Sequence, residues 1–239
     1  MRLHVALLLA AALAPVQGCA SRRASRERAT VVLEGERTEV RWTDGDGFRI
    51  LSGPRRGLSA RLRGVNALEA YGPVHRFAGV PGERLLSIAK ATPALVAARE
   101  WRCGTDGALD GYRRLLVDCP GAAEALVRSG LAMVFAVGGP PDATLVVAQL
   151  AAQREHSGMW AGGVPPLVPT SLHSAGEEGG GYDRIADTRT GETEVRRHGR
   201  TYAVCEEVCV GEGNGLACMT YVPYELRYRN RPACLLPGQ

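Results

Sequence analysis

Three short fragments of the sequence carry the side chains that phosphodiester chemistry requires. Residues 43–47 read Thr-Asp-Gly-Asp-Gly, residues 61–69 begin with an arginine and end with a glutamate, and residues 110–115 read Asp-Gly-Tyr-Arg-Arg-Leu. Carboxylate and amide oxygens suit a hard cation such as calcium, and the guanidinium fork of arginine matches the oxygens of a phosphate. A carboxylate beside them can orient or deprotonate an attacking water. Together these residue types indicate metal-assisted hydrolysis of a phosphodiester.

Each fragment also has an interpretation as plain structure. The Asp-Gly-Asp-Gly run at 44–47 is typical of a hairpin turn. Arg61 and Arg63 alternate with apolar residues, as on the solvated face of a strand, and Tyr112 lies in a run typical of a surface turn. None of the three identifies a site alone, so the functional hypothesis depends on their combination and spacing.

The elements that must position these fragments can be predicted from apolar periodicity. Strands are predicted at 30–33, 39–42, 48–51, 58–65, 95–103 and 114–118. Helices are predicted at 83–90, 121–131 and 143–156, the first ended by Thr92 and Pro93. Strict alternation along 58–65 places Arg61, Arg63 and Val65 on one face of that strand.

Composition predicts one compact domain with an appendage. The chain has 239 residues, of which 45% are hydrophobic and 23% charged. No apolar run reaches the roughly 18 residues that span a bilayer. The net charge is +4, and residues 31–160 hold 16 basic and 14 acidic side chains, so binding of nucleic acid requires a specific site and not a large basic field.

The three fragments together resemble the staphylococcal nuclease (thermonuclease) family. Residues 44–47 match the family's Asp-Gly-Asp-Thr hairpin, with Gly47 at the threonine position. Arg61 lies eight residues before Glu69, as the arginine and glutamate do in the family's Arg-Leu-x-Gly-Ile-Asp-x-Pro-Glu motif. Residues 110–114 are similar to its Asp-x-Tyr-Gly-Arg turn.

The resemblance covers residues 31–160 and implies both a fold and a site. The fold it implies is α+β, a five-stranded OB-fold β-barrel with three helices. The catalytic residues it implies are Arg61 and Arg114 as phosphate ligands and Glu69 as the residue that positions or deprotonates water. The calcium ligands it implies are Asp46, Asn66 and the carbonyl of Ala67, and the turn residue it assigns to substrate binding is Tyr112.

Besides Gly47, the sequence departs from the family at four further places. Asn66 stands where the family has a metal-binding aspartate, so one negative charge is lost and calcium affinity should fall. Leu68 replaces a proline that stiffens the turn beside the base. Gly111 stands at the position of a lysine, and residues 133–138 lack the tyrosines that help hold the terminal nucleotide.

These residues favour a calcium-dependent nuclease, a hydrolase of ester bonds acting on DNA or RNA. Asn66 keeps open an alternative, a catalytically degenerate domain that binds nucleic acid or protein. A third reading is a structural envelope module in which the C-terminal segment is the functional part. Retained Asp46, Arg61, Glu69 and Arg114 argue for the enzyme.

The N-terminal residues have the pattern of an export signal. A basic start precedes a 12-residue apolar run from Val5 to Val16, and Gly18-Cys19 resembles the cleavage box of bacterial lipoproteins. A buried N-terminal helix is the alternative. We therefore expect a signal peptide at 1–18 and a tether at 19–30 that begins at a lipidated Cys19. The expected location is the bacterial envelope, at the periplasmic face of the outer membrane, or secretion, as a monomer.

Export changes how the other cysteines are interpreted. In an oxidising compartment six of them predict disulfides, with Cys103 bonded to Cys119 and the last four bonded among themselves. A zinc site is the rival, but the last four lack paired C-x-x-C spacing. Four of these cysteines lie in a C-terminal extension (residues 182–239), which a Pro-, Gly- and Ser-rich linker at 161–181 precedes.

The histidines beyond the signal, predicted to be exposed, are His75, His156, His173 and His198.

Overall fold

The structure, a computed structural model, describes residues 28–77 and 79–236. The predicted signal peptide and Cys19 lie outside the described residues. The fold is α+β, and its helices are α1 (Gly82–Ala97), α2 (Pro120–Arg128) and α3 (Ala143–Arg154). The strands before the C-terminal extension are β1 (Arg28–Leu33), β2 (Glu36–Trp42), β3 (Gly47–Ile50), β4 (Ser59–Leu62), β5 (Gly64–Ala67), β6 (His75–Phe77), β7 (Trp101–Cys103), β8 (Leu115–Val117), β9 (Ala132–Phe135) and β10 (Leu167–His173). The strands of the extension are β11 (Tyr182–Asp187), β12 (Thr193–Arg197), β13 (Glu207–Val210) and β14 (Ala217–Thr220).

The main sheet has six strands in the order β7-β1-β2-β3-β4-β8. It curls until its edge strands meet at one end, where the backbone groups of Gly104 and Asp118 exchange hydrogen bonds of 2.8 and 2.9 Å. The Cys103–Cys119 disulfide joins the same strand ends. The sheet has six strands where the resemblance implies five, and β1 lies inside it, between β2 and β7. This strand begins at Arg28, inside the segment expected to be a tether.

The predicted strand at 58–65 divides at Arg63 and Gly64. Before this point β4 pairs with β3 and β8, and after it β5 pairs with β9 in a separate two-stranded sheet. Gly64 has φ +77°, which side-chain-bearing residues rarely adopt. The break reverses the alternation, so Val65 is buried in the core and does not share the face of Arg61.

Helix α1 does not end at Thr92 and Pro93 but continues to Ala97. Its buried face, spaced as a helix requires, extends across the proline: Leu85, Leu86, Ala89, Thr92 and Val96. Packing of this face outweighs the local preference of proline to end a helix. Of the strand predicted at 95–103, only β7 forms.

The C-terminal extension packs against the first part of the chain. Strand β14 pairs with β6, and Ala186 and Ala217 share a buried cluster with Phe77 and Trp160. Strand β10 lies inside the segment predicted as a linker, where dense Pro, Gly and Ser residues conceal a strand that buries Val168, Pro169, Thr170 and Leu172. The extension therefore shares a core with the first part of the chain.

All six described cysteines are bonded. The pairs are Cys103–Cys119, Cys205–Cys234 and Cys209–Cys218. This confirms the predicted first pair and the pairing of the last four among themselves, and it excludes a zinc–thiolate site in the extension. Among the residues that the structure describes, no helix is both long and apolar enough to span a bilayer.

Candidate functional site

The Asp-Gly-Asp-Gly run forms the tight turn between β2 and β3. The backbone N–H of Thr43 donates to the Gly47 carbonyl over 3.0 Å. A Cβ at Gly45 would lie 2.6 Å from the Thr92 side chain and 2.8 Å from that of Ala67, so only glycine allows this close approach. The turn is thereby pressed between α1 and the end of β5, which brings its two carboxylates to the end of the sheet.

Asp44, the first carboxylate of this turn, is a site residue that sequence reasoning missed. Burial, followed by the nearby charge of Asp46, raises the pKa of Asp44 to about 7. Its Oδ1 is buried and has no hydrogen-bond partner among the described residues. A Cβ at Gly47 would lie 2.8 Å from that oxygen, so the glycine that replaces the family's threonine leaves room for it. The sequence could have indicated Asp44, because it is a second carboxylate two residues before Asp46.

The structure brings Asp46, Arg61 and Asn66 into direct contact. The Arg61 guanidinium forms an ion pair with the Asp46 carboxylate and donates to Asn66 Oδ1 over 2.9 Å. Burial lowers the pKa of Arg61, but the charge and hydrogen bond of Asp46 outweigh it, so the pKa is raised and the guanidinium stays protonated. Arg61 and Asn66 are five residues apart, and they share a face only because the strand breaks at Gly64.

The three predicted calcium ligands lie together, and each is already hydrogen-bonded. Asp46 Oδ2 accepts the N–H of Ala67 over 2.5 Å, and the Ala67 carbonyl accepts from Asn66 Nδ2 over 3.1 Å. Asp44 Oδ1 adds a buried oxygen without a partner. A donor set of two carboxylates, one amide oxygen and one carbonyl is the type that a hard cation prefers. These residues therefore fit calcium, with Asp44 as the free oxygen.

Glu69 lies on the loop after β5 and is half-buried. Burial raises the pKa of its carboxyl group, while the positive charges of Arg227, Arg61 and Arg114 oppose this rise. The structure thus places the predicted base in the field of both predicted phosphate ligands. Arg227, from the C-terminal extension, is a third cation that sequence reasoning missed, and no local pattern in the sequence connects it to Glu69.

Arg114 is fixed by the turn that carries it. Asp110 Oδ1 accepts the backbone N–H groups of Tyr112 and Arg114, each over 2.9 Å, and Asp110 Oδ2 accepts from Arg114 Nε over 2.7 Å. The Arg114 guanidinium lies 5.5 Å from the centre of the exposed Tyr112 ring. The turn therefore presents one cation and one aromatic ring together, as its residue types predict.

Arg63 is separated from this cluster. It pairs with Asp106 at 2.6 Å and with Asp118 at 2.8 Å. These contacts leave Arg61 as the arginine of this strand that faces the Asp46 carboxylate.

A second group of potential metal ligands does not support a metal site. Within the described part of the chain, one group of three His, Cys, Asp or Glu side chains has ligand atoms within 4.8 Å of one another, and it contains Glu207, Cys209 and Cys218. Its two cysteines are bonded to each other, so neither offers a thiolate.

No protein-family model matches the chain, and no curated protein matches it. The resemblance to staphylococcal nucleases therefore rests on the three motifs and on the contacts among the residues that they contain.

Proposed function

We propose that this protein is a calcium-dependent nuclease of the thermonuclease type, which hydrolyses phosphodiester bonds of DNA, RNA or both at the cell envelope. The observation that carries the proposal is the contact of Arg61 with Asp46 and Asn66, with Glu69 and Arg114 in the same electrostatic field. Residues from separate motifs thus meet in a combination of carboxylates, arginines and carbonyl oxygen that suits phosphodiester hydrolysis.

An OB-fold barrel is part of this proposal. The curled main sheet supports it, because its edge strands meet at Gly104 and Asp118. The three α-helices support it as well.

Each of these side chains has a separate role in the proposed reaction. Arg61 and Arg114 bind the phosphate, and their charge stabilises the negative charge that grows on its oxygens during attack. Glu69 accepts a proton from the attacking water at a carboxylate oxygen, and burial makes it a stronger base than a solvated glutamate. The water oxygen bonds to phosphorus, the P–O bond to the leaving nucleoside oxygen breaks, and that oxygen takes a proton from solvent. Asp44, Asp46, Asn66 and the Ala67 carbonyl would hold calcium. Bound calcium supplies further positive charge beside the phosphate and polarises water.

One observation favours the second candidate function, a binding module without activity. The Asn66 amide carries no charge, and its Nδ2 donates to the carbonyl that calcium would need. Weak calcium binding at this position would leave Arg61 and Arg114 able to bind phosphate without cleavage. The ligand would then be nucleic acid, bound through the same guanidinium groups.

An assay of purified protein separates the two candidates. Single-stranded DNA, duplex DNA and RNA are incubated with the protein in millimolar calcium and then with a chelator. Cleavage that the chelator abolishes supports the nuclease. If wild type and Asn66→Asp are both inert at high calcium on all three substrates, the nuclease proposal fails, and a gel-shift assay then tests the binding module.

Location and assembly are part of the proposal. We propose that Cys19 anchors the protein to a membrane through acyl chains and that the protein acts as a monomer. The apolar run followed by Gly18-Cys19 supports the anchor.

A further inference from the structure

Arg227 and Tyr228 follow a short 3-10 turn of the C-terminal extension, at Tyr224–Leu226. Arg227 lies against the loop that carries Glu69. Its guanidinium is 4.9 Å from the centre of the Tyr71 ring, two residues beyond Glu69, and its Nε donates to the Val222 carbonyl over 3.0 Å. The extension thus places a cation beside the predicted base.

Buried contacts of the C-terminal extension hold Arg227 in this position. Leu235 is fully buried with Tyr71, Val74 and Val222, and a Cβ at Gly72 would lie 2.3 Å from the Leu235 side chain. The Cys205–Cys234 disulfide ties this end of the extension to the rest of it. Arg231 donates to the carbonyls of Tyr71 and Leu235. The loop that carries Glu69, in which Leu68 stands at the position of the family's stiffening proline, is held by the extension instead.

Arg227 differs from the other arginines of the site in its partners. Arg61 pairs with Asp46, and Arg114 pairs with Asp110. Within residues 28–77 and 79–236, Arg227 forms no ion pair, and its contacts are with aromatic rings and one carbonyl. A half-buried guanidinium with no carboxylate within ion-pair distance keeps N–H groups that can donate hydrogen bonds to an anion.

Tyr228 places an exposed aromatic ring beside this cation. The Tyr228 ring packs edge-on against Tyr71 at 6.2 Å and against Tyr224 at 6.3 Å, and it remains 67% exposed. An exposed ring held by two others loses little freedom when a flat ligand stacks on it. Alternating guanidinium and aromatic groups are how proteins bind single-stranded nucleic acid.

We propose that the C-terminal extension completes the site, with Arg227 binding a phosphate next to the one that is cleaved and Tyr228 stacking on the adjoining base of a single strand. This inference rests on the proposed function and deepens it. Arg227 and Tyr228 would be substrate-positioning residues. The extension would supply substrate contacts in place of the family's lysine and tyrosines, which this sequence lacks.

Binding tests the inference apart from cleavage. A fluorescent single-stranded DNA of about ten nucleotides is titrated onto Glu69→Gln protein in calcium, with Arg227→Gln, Tyr228→Ala and the exposed control Arg229→Ala each added to that background. Arg227→Gln should weaken binding by about tenfold to a hundredfold, the range for one hydrogen bond to a charged group. It should also lower the slope of log affinity against log salt by about 0.7, as expected when one phosphate contact to a single strand is lost. Tyr228→Ala should weaken binding without changing that slope.

Cleavage supplies a second readout. In otherwise wild-type protein, Arg227→Gln should raise KM for the oligonucleotide far more than it lowers kcat, and should leave a chromogenic phosphodiester with one nucleoside unaffected. The melting temperature of each variant is measured first, so that only variants as stable as wild type are compared. If Arg227→Gln melts at a lower temperature, Arg227→Lys, which keeps the positive charge, is used in its place. If wild type cleaves DNA and Arg227→Gln matches Arg229→Ala in affinity and salt slope, the inference is overturned and the proposed function stands. If wild type and Asn66→Asp both cleave nothing at high calcium, the proposed function fails, and the salt slope still decides the role of Arg227.

Discussion

Arg61 pairs with Asp46 at the centre of the candidate site, although the resemblance to staphylococcal nucleases assigns one to a phosphate and the other to a cation. Both side chains are largely buried, and Arg61 also donates to Asn66. A phosphate that binds Arg61 and a cation that binds Asp46 would both loosen this pair. Binding of either one should therefore favour binding of the other, because the first to bind removes a contact that competes with the second.

The first prediction concerns the catalytic charges. Glu69→Gln and Arg114→Ala should each lower kcat by about 10²–10³, the usual cost of losing one such group. Both side chains are only partly buried, so thermal unfolding should remain close to that of wild type. Arg63→Ala is the matched control, because Arg63 pairs with Asp106 and Asp118 away from the site. Equal losses in all three variants would contradict the assignment.

The second prediction concerns Asn66. Asn66→Asp should lower the half-saturating calcium concentration of DNA cleavage by about tenfold or more, since it adds a unit charge among the ligands. It also removes the Nδ2 donor that occupies the Ala67 carbonyl. Asn66→Ala, which removes the oxygen, should shift the calcium titration in the opposite direction. Identical calcium titrations for wild type and Asn66→Asp would exclude Asn66 as a ligand.

The third prediction concerns the bridge at the Arg114 turn. The Cys103–Cys119 disulfide closes a loop with a sequence separation of 16 that contains this turn. Removing it in Cys103→Ala/Cys119→Ala should lower the free energy of unfolding by about 3 kcal/mol and reduce activity of the folded protein. Denaturant unfolding and an assay at low temperature measure the two effects.

The control for this bridge is the double variant Cys209→Ala/Cys218→Ala. Its disulfide lies between β13 and β14, so stability should fall while activity of the folded protein is kept. A folded Cys103→Ala/Cys119→Ala protein with full activity would show that the bridge does not position Arg114.

The fourth prediction concerns His75, which the sequence analysis placed on the surface, wrongly. His75 is 3% exposed on β6, and neither ring nitrogen has a hydrogen-bond partner among the described residues. Burial lowers its pKa from 6.5 to about 4. Between these values the unfolded chain binds the extra proton and the folded chain does not, so stability present above pH 6.5 is lost as pH falls towards 4.

This loss amounts to about 3 kcal/mol, taken from the pKa difference at 1.36 kcal/mol per unit. It is measured as the free energy of unfolding by urea across that pH range. His75→Leu should flatten the pH dependence by this amount, whereas the exposed control His156→Asn should retain it. The same slope in wild type and His75→Leu would assign the acid sensitivity to other groups.

The fifth prediction concerns the N-terminus, which lies outside the described residues. Wild-type protein expressed in a bacterial host should fractionate with membranes, and mass spectrometry should find acyl chains on Cys19. Cys19→Ala should appear in the soluble fraction or remain unprocessed. Unmodified wild type recovered wholly in the soluble fraction would refute the anchor.

The sequence by itself determined the local chemistry of this protein. The Asp-Gly-Asp-Gly hairpin, the turn that ends in Arg114 and the pairing of Cys103 with Cys119 are short-range features that turn preference and spacing specify. The periodicity of apolar residues predicted the individual strands and helices in the same way, and the resemblance supplied the α+β class.

Tertiary structure alone decided which distant residues lie together at the candidate site. Helix α1 runs through Pro93 because its buried face continues, and the break at Gly64 places Asn66 beside Arg61, which strict alternation would separate. Arg227 reaches the Glu69 loop only because Leu235 and β14 pack against the first part of the chain. Such contacts depend on the free energy of burying surfaces far apart in sequence, which no local pattern of residues records.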